Sequence, residues 1–142
     1  MDRTGASLSR VITEVLAMAG VAPTQLGHIN AHGTGTMLND LAEANALHVA
    51  LGEAATQVPC SSTKAVTGHC LGASAALEAV ICIQAMHASH LPGTTNCSTL
   101  DPAVKLNVLR VNRVSAAVQW ALSVSAGFWG NQAAVVFSRD AR

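Results

Sequence analysis

Two short blocks rich in glycine, serine and threonine most constrain the fold of this 142-residue chain. Residues 30–36 read Asn-Ala-His-Gly-Thr-Gly-Thr, and residues 61–72 read Ser-Ser-Thr-Lys-Ala-Val-Thr-Gly-His-Cys-Leu-Gly. Each block follows a short apolar run and carries one histidine, His32 or His69. Glycine, serine and threonine favour turns and loops. The blocks therefore predict two strands that each end in a loop bearing a histidine.

The spacing of the blocks predicts that the two strands are parallel. The apolar runs 26–30 and 57–61 are separated by a helix-like run over residues 40–51. Both histidines would then lie at the carboxyl edge of the sheet, where ligands bind in open α/β folds. A further helical pattern begins at about residue 72, and its free N–H groups beside His69 would favour an uncharged ring. Two uncharged imidazole N–H donors directed at one point would stabilise a developing oxyanion.

The remaining pattern predicts one α/β domain over residues 1–142, with a mixed β-sheet packed with helices and ending in a β-hairpin. Helical spacing of apolar residues predicts helices over residues 7–19 and 72–88, and the second is apolar almost all round. Its single acid, Glu78, needs a partner if it is buried, and Lys64 is the natural candidate. Residues 104–114 predict at most a short strand. Residues 119–125 and 132–138 predict two strands joined by a turn that contains glycine.

The low charge of the chain indicates that part of its surface is covered by another polypeptide. Only 11% of the residues are charged, against roughly 25% in soluble domains. Net charge is zero and the only lysines are Lys64 and Lys105, which argues against nucleic-acid binding. The sequence shows no N-terminal signal pattern and no uninterrupted apolar run of about 18 residues. We therefore expect a cytoplasmic protein that does not bind or span a membrane.

The cysteines and histidines do not form a recognisable metal motif. The four cysteines contain no CxxC pair, so we expect free thiols in a reducing compartment. A zinc site built from His28 and His32 would need both on one helix, whereas they flank the end of a predicted strand. We therefore predict no metal site.

The two blocks resemble the C-terminal half of β-ketoacyl-acyl carrier protein synthases, the condensing enzymes of the thiolase superfamily. The residues that carry the resemblance are HGTGT at 32–36, Asn39, Asp40, Glu43, SSTKAVTGH at 61–69, LGA at 71–73 and Glu78. Their order and spacing agree with the family over essentially the whole chain. The segment 122–136, LSVSAGFWGNQAAVV, is most similar to ketosynthases and chain-length factors of type II polyketide systems. The resemblance implies an α/β fold that is the C-terminal half of a thiolase-like fold.

The resemblance assigns the two histidines to one step of the condensation. In this family two histidines hold the thioester carbonyl of a malonyl unit while it loses carbon dioxide, and they stabilise the resulting enolate. Those roles fall on His32 and His69. Thr34 and Thr36 would contact the phosphopantetheine arm of an acyl carrier protein. The substrates would be carried on that arm, and the resemblance implies no other bound cofactor.

Three further residues receive roles from the same resemblance. Lys64 and Glu78 would form a supporting ion pair, and Phe128 would be the gate residue beside the acyl pocket. Trp129 stands where the family usually has glycine, and Asn131 replaces another small residue. The gate loop is therefore expected to be stiffer and the acyl pocket to have a different shape.

The nucleophilic cysteine of the family lies in its N-terminal half, which these 142 residues do not include. Cys60, followed by two serines, superficially resembles the turn that carries that nucleophile. An activated thiolate needs an electropositive and accessible setting, however, and the end of a strand does not provide one. We therefore expect that Cys60 does not accept an acyl group.

The sequence leaves more than one functional class open. We predict a half-length ketosynthase-like subunit that forms a heterodimer or larger assembly with a ketosynthase-like partner carrying the nucleophile. Strands that begin this half of the fold in the family are missing, so a sheet edge and an apolar helix face would be exposed without a partner. The alternative is a non-catalytic subunit similar to a chain-length factor, which stabilises a full ketosynthase and shapes its acyl tunnel. A third possibility is a gene remnant without independent activity.

Each site residue also has a purely structural interpretation. His32 and His69 could be loop histidines with ordinary hydrogen bonds, and Lys64 could be a solvated loop lysine. Phe128 and Trp129 could be core aromatics, because the chain has only four aromatic residues and must bury some. The other histidines are predicted to be packing or surface residues; they are His28, His48, His87 and His90.

Overall fold

The computed structural model of the protein describes residues 2, 4–115 and 118–139. The helices are α1 (Ala6–Ala19), α2 (Met37–Leu51), α3 (Lys64–Thr67) and α4 (Ser74–Ala88). The strands are β1 (His28–Asn30), β2 (Cys60–Ser61), β3 (His90–Leu91), β4 (Arg113–Val114), β5 (Trp120–Ala126) and β6 (Gln132–Ser138). Short 3₁₀ turns cover Pro23–Gln25, Gly52–Thr56, Leu71–Ala73 and Phe128–Gly130.

The main sheet has the strand order β2-β1-β5-β6. Strand β1 is parallel to both β2 and β5, and β5 pairs with β6 in an antiparallel hairpin. The predicted mixed sheet with a terminal hairpin is therefore confirmed. Strand β1 is shorter than predicted, although the Gly27 N–H donates to the Trp120 carbonyl and the Ala31 N–H donates to the Ser61 carbonyl. These bonds hold the chain in line at both ends of the strand.

Apolar residues cover both faces of the sheet. On one face, helices α1 and α2 pack on the sheet through fully buried residues that include Ile12, Ile29, Leu47 and Leu122. On the other face, α4 contributes Cys82 and Met86, which pack with Leu91, Val118 and Ala121. Because β1 is parallel to its neighbours, residues paired across these strands share a face, and the sheet separates the two cores.

Polar side chains lie within the α4 face of the sheet. His28 and Asn30 alternate with Ile29 along β1 and share a face with their partners in the neighbouring strands. His28 is fully buried, and its Nε2 lies 3.0 Å from the hydroxyl oxygen of Ser61. The amide of Asn30 donates to the Ser123 hydroxyl at 3.1 Å. Burial lowers the pKa of His28 to about 4, so this ring is neutral at neutral pH.

Helix α4 is less buried than its composition predicts. Only Ser74, Glu78, Cys82, Ala85 and Met86 are buried, and they form one stripe that faces the sheet. The opposite face presents the apolar side chains of Leu77, Val80 and Ile83 to solvent. Residues Leu71–Ala88, with a mean hydropathy of 1.4, are long and apolar enough to cross a membrane by length and composition alone. The same helix carries a buried acid and packs against β5 in this fold.

The small two-stranded sheet was not predicted. Strands β3 and β4 are antiparallel, with His90 opposite Val114 and Leu91 opposite Arg113. Both strands are only two residues long, which is too short for an alternating pattern to appear in the sequence. They join the end of α4 to the chain that leads into β5.

Candidate functional site

The predicted site residues follow strands that end at one edge of the sheet. Strands β1, β2 and β5 are mutually parallel, so their carboxyl ends lie together. Three loops leave this edge: residues 31–36, residues 62–73 and the hairpin turn 127–131. All seven residues predicted to form the site belong to these loops, except Glu78 on the second turn of α4. The predicted site residues therefore lie near the carboxyl edge of the sheet, as the strand pattern indicated.

Two ionisable side chains hold the main chain of His32, one at its N–H and the other at its carbonyl oxygen. The backbone N–H of His32 donates to Oε1 of Glu43 at 2.6 Å, and that of Gly33 donates to Oε2 of Glu43 at 2.9 Å. The ammonium of Lys64 donates to the carbonyl oxygen of His32. We call this arrangement the His32 clamp, formed by Glu43 of α2 and Lys64 of α3. It satisfies the backbone groups of a residue that lies beyond the strand ladder.

Lys64 also forms the predicted ion pair. Its ammonium donates to Oε1 of Glu78, and both residues are buried, with exposures of 8% and 2%. The interpretation of Lys64 as a solvated loop lysine is therefore wrong. Helix α4 thus connects to the His32 loop through one charged side chain.

Burial raises the pKa of Glu43 to about 7, against the opposing effect of its two backbone hydrogen bonds. Asp40 adds a like charge nearby, and Lys64 adds an opposite one. The Asn39 amide contacts Oε2 of Glu43 at 3.4 Å. Glu43 is therefore a buried acceptor close to its point of ionisation at neutral pH.

Gly33 allows the two histidine-bearing loops to approach each other. Its φ is +42°, and a Cβ placed on it would lie 2.5 Å from Cβ of Ser62. The Ser62 hydroxyl donates to the Gly33 carbonyl at 2.9 Å. A side chain at position 33 would therefore separate the loops, which explains why glycine follows the histidine here.

The two predicted histidines lie side by side. The ring centroids of His32 and His69 are 5.4 Å apart, and the rings are nearly perpendicular at 82°. His32 is 5% exposed, and its Nδ1 is buried without a hydrogen-bond partner among the described residues. Burial lowers the pKa of His32 to about 4, and its electrostatic interactions with Lys64 and His69 act in the same direction. His32 is thus an uncharged imidazole at neutral pH.

His69 is exposed, and its Nδ1 faces the protein. That nitrogen accepts a hydrogen bond from the backbone N–H of Leu71 at 3.2 Å and lies 3.0 Å from the hydroxyl oxygen of Ser74. The N–H donor that the sequence predicted beside His69 is therefore present, although it comes from the 3₁₀ turn before α4. Nε2 is left as the nitrogen that can face a ligand.

Thr34 and Thr36 lie on the surface of the first loop. Their hydroxyl groups are 2.9 Å apart and hydrogen-bond to each other, and the neighbouring Gly35 N–H donates to Oδ1 of Asp40 at 3.2 Å. A cleft of about 630 Å³ opens beside this loop, between α2 and residues 94–108. Thr34, Lys64 and His69 all line it.

Phe128 and Trp129 are exposed side chains of the β5–β6 turn. Phe128 is 78% exposed and Trp129 is 98% exposed, so the interpretation of these residues as core aromatics is wrong. Trp129 has a φ of +66°, which a bulky residue seldom adopts. The turn is closed by a hydrogen bond of 2.7 Å from the Gly127 N–H to the Asn131 carbonyl.

The buried cysteines are poor nucleophiles. Cys60 and Cys82 are buried, and burial raises the pKa of both thiols. The expectation that Cys60 does not accept an acyl group agrees with this setting. Within residues 2, 4–115 and 118–139, no three side chains of histidine, cysteine, aspartate or glutamate cluster as metal ligands would.

Sequence reasoning did not assign roles to Glu43, Ser62 or Ser74. Glu43 was part of the resemblance, but its contact with the His32 main chain was not foreseen. The burial of Glu43 could have been predicted, because it follows Asn39 by one helical turn and is flanked by Ala42 and Ala44. Ser62 and Ser74 gave no such signal, since serine occurs in most loops and helix starts.

Residues 1–98 match the family described as "Beta-ketoacyl synthase, C-terminal domain". A putative polyketide β-ketoacyl synthase of Streptomyces halstedii is 37% identical over 142 residues, which is 100% of this chain and 34% of the relative. The 3-oxoacyl-[acyl-carrier-protein] synthase 2 of Mycobacterium bovis is 35% identical over 138 residues, covering 97% of this chain and 33% of the relative. The chain thus spans about a third of the length of the curated relatives it matches.

Solved structures show the same fold. A ketosynthase in complex with its type II polyketide acyl-carrier protein superimposes with a TM-score of 0.94 at 31% identity, covering 99% of this chain and 35% of that one. A ketosynthase in complex with its chain length factor, from Xenorhabdus doucetiae, gives a TM-score of 0.84 at 34% identity, covering 94% of this chain and 33% of that one. The thiolase-like fold predicted from the sequence is therefore confirmed.

Proposed function

The chain belongs to the β-ketoacyl synthase family, and we propose that it supplies the two-histidine site at which a malonyl thioester is decarboxylated in a β-ketoacyl-acyl carrier protein synthase complex. The observation that carries this proposal is the adjacency of His32 and His69, with ring centroids 5.4 Å apart. The complex would act in fatty-acid or polyketide synthesis.

The two imidazoles suit this chemistry because each ring can present an N–H donor. When the bond between the α-carbon and the carboxylate of the malonyl unit breaks, carbon dioxide leaves and the electron pair moves toward the thioester carbonyl. Negative charge then builds on that oxygen. Two donors held near it stabilise the enolate, and removing one donor of this type costs about 10²–10³-fold in rate. The α-carbon of the enolate then attacks the carbonyl of an acyl thioester, so the new carbon–carbon bond forms, the acyl C–S bond breaks and the thiolate leaves.

The residues around the histidines act as supports in this proposal. The His32 clamp fixes the backbone of the buried ring, and the pairing of Lys64 with Glu78 holds the clamp against α4. Thr34 and Thr36 would bind the phosphopantetheine arm of an acyl carrier protein, which carries the substrates without any further cofactor. Phe128 would lie at the entrance of the acyl pocket.

The nucleophilic cysteine is proposed to come from a ketosynthase-like partner. Cys60 and Cys82 are buried with raised thiol pKa values, so neither is suited to accept an acyl group. The exposed apolar face of α4 supports the same conclusion, since uncovered faces of this kind mark interaction surfaces. A heterodimer or larger assembly with such a partner, in the cytoplasm, is the form that we propose to be active.

The test is co-purification with a candidate ketosynthase, followed by assays of the assembled complex. We expect that His32→Ala and His69→Ala each lower the rate of malonyl decarboxylation by about 10²–10³-fold while the complex stays intact. His90→Ala, which removes an exposed histidine of β3, is the matched control and should leave the rate unchanged. Undiminished decarboxylation in both site variants would refute the catalytic role.

A second candidate function is a non-catalytic subunit similar to a chain-length factor. The exposed Trp129 favours it, because a large side chain in a left-handed turn position suggests a role in shaping a neighbouring tunnel. In this case the histidine variants would retain full turnover. Trp129→Gly would instead change the length of the products that the complex releases.

A further inference from the structure

We propose that Ser74 is a positioning residue that fixes His69 in the tautomer carrying its proton on Nε2, the nitrogen that faces the ligand. This inference rests on the proposed function and adds a residue to its site. It is drawn from the contacts around Nδ1 of His69.

The first observation is that a backbone N–H already points at Nδ1. The Leu71 N–H donates to this nitrogen at 3.2 Å, and a backbone N–H can only donate. The acceptor must therefore be an unprotonated ring nitrogen. In a neutral imidazole the single proton is then on Nε2.

The second observation is the position of the Ser74 hydroxyl. Its oxygen lies 3.0 Å from Nδ1, and Ser74 is 5% exposed, whereas Gly72, Ala73, Ala75 and Ala76 around it are all exposed. The side chain is thus turned inward at the start of α4, toward the ring. With Nδ1 unprotonated, the hydroxyl donates to it as well. Two donors then converge on one ring nitrogen and disfavour the tautomer protonated there.

The third observation is backbone strain in the same turn. Leu71 has a φ of +50°, in the left-handed region that residues with a side chain seldom adopt, and its side chain is exposed. This conformation is held although the side chain gains little from burial. We attribute it to the direction that it gives the Leu71 N–H, and Ser74 reinforces that direction from the first residue of the helix.

The consequence for the site is an oriented donor. If Nδ1 is fixed as an acceptor against Leu71 and Ser74, the plane of the ring is fixed, and the Nε2–H projects away from α4. The ring of His32 is 5.4 Å from that of His69, centroid to centroid, and nearly perpendicular to it. Ser74 therefore strengthens the preference of His69 for presenting a hydrogen, rather than a lone pair, to a thioester oxygen.

The experiment uses the full chain with ¹⁵N-labelled histidine. The chemical shifts of the two ring nitrogens report the tautomer, and spectra are recorded at about pH 8, where an ordinary imidazole is neutral. The His69 signals are assigned by their loss in His69→Asn. The variants are Ser74→Ala, which removes the hydroxyl, and Ser74→Thr, which retains it. Ser138→Ala on the exposed surface of β6 is the matched control.

We expect the ratio of the Nε2–H to the Nδ1–H tautomer of His69 to fall about fivefold in Ser74→Ala, the effect of one hydrogen bond. Ser74→Thr should restore the ratio, and Ser138→Ala should not change it. In the assembled complex, Ser74→Ala should lower kcat for malonyl decarboxylation by less than about twofold with little change in KM, because the Leu71 N–H still donates to Nδ1 and keeps the Nε2–H tautomer in the majority.

An unchanged tautomer ratio in folded Ser74→Ala overturns the inference, whatever the activity, and leaves the proposed function standing. A tautomer ratio that is restored in Ser74→Thr excludes a general loss of packing as the cause of the shift in Ser74→Ala. A ratio that stays low in folded Ser74→Thr counts against the inference. If the ratio shifts as expected but His69→Ala retains full decarboxylation, the positioning role holds and the proposed function fails. The two conclusions are thus tested separately.

Discussion

Replacing Lys64 with methionine tests the central ion pair of the site. Methionine nearly preserves the volume of the side chain, so the change removes a charge without opening a large cavity. Glu78 would then be a carboxyl group that is 2% exposed and has no partner among the described residues, because its Oε2 already has none there. The carbonyl oxygen of His32 would lose its donor at the same time.

The expected loss is large relative to the stability of a domain of this size. Removing one member of a buried ion pair costs about 3–5 kcal/mol, and leaving a buried carbonyl without a donor adds about 1 kcal/mol. We therefore expect Lys64→Met to lower the free energy of unfolding by about 4 kcal/mol or more. This loss is roughly a thousandfold change in the folding equilibrium. The total free energy of unfolding of a domain is about 5–15 kcal/mol.

Urea denaturation followed by tryptophan fluorescence measures this change. Lys105→Met is the matched control, since Lys105 is the only other lysine and is exposed; its loss should not exceed about 0.5 kcal/mol. The double variant Lys64→Met/Glu78→Met removes both charges and should recover at least half of the loss. The reasoning is refuted if Lys64→Met costs no more than Lys105→Met, or if the double variant loses the sum of the two single changes.

Two further predictions concern the loop and the sheet. Gly33→Ala should lower the free energy of unfolding, measured by urea denaturation, by about 2–3 kcal/mol, because its Cβ would lie 2.5 Å from Cβ of Ser62. Gly20→Ala is the control. A Cβ at position 20 would have open space around it, so this change should cost about 1 kcal/mol. The second concerns acid stability. The folded-state pKa of His28, about 4, lies below its ordinary value of 6.5, so stability falls as the pH drops from about 6.5 toward 4. At pH 4.5 this group should cost about 2.5 kcal/mol, and His28→Gln should remove that part of the acid sensitivity while His87→Gln should not.

Each of these predictions has a contradicting result. Equal losses in Gly33→Ala and Gly20→Ala would show that the two loops have room to separate. An unchanged difference in unfolding free energy between pH 6.5 and 4.5 in folded His28→Gln would show that this ring is not the acid-sensitive group.

The order of strands and helices could be predicted because it follows from strong local patterns. The glycine-rich blocks marked where β1 and β2 end, and the glycines before β6 marked the hairpin turn. Because parallel strands end at a common edge, this was enough to bring His32, Lys64 and His69 together. The pairing of Lys64 with Glu78 could be predicted as well, since a buried acid needs a partner and the chain has only two lysines.

The remaining features depend on contacts between distant segments, and local pattern does not specify them. The flanking Ala42 and Ala44 indicated that Glu43 is buried, but no sequence pattern indicates that it accepts hydrogen bonds from the backbone of His32 and Gly33. The exposure of Phe128 and Trp129 contradicts the usual behaviour of aromatic residues, which sequence reasoning takes as its default. Helix α4 was expected to be packed closely on its neighbours because its composition is apolar, yet the described residues cover only one side of it.

The His32 clamp limits how this loop can vary between related proteins. Glu43 belongs to α2 and Lys64 to α3, so both side chains extend from fixed points of the fold. The backbone N–H and carbonyl of His32 must therefore lie at one position between them. Adding or deleting a single residue between β1 and α2 would shift that peptide by about 3.5 Å, more than the reach of a hydrogen bond. Libraries that diversify this segment should therefore keep its length constant.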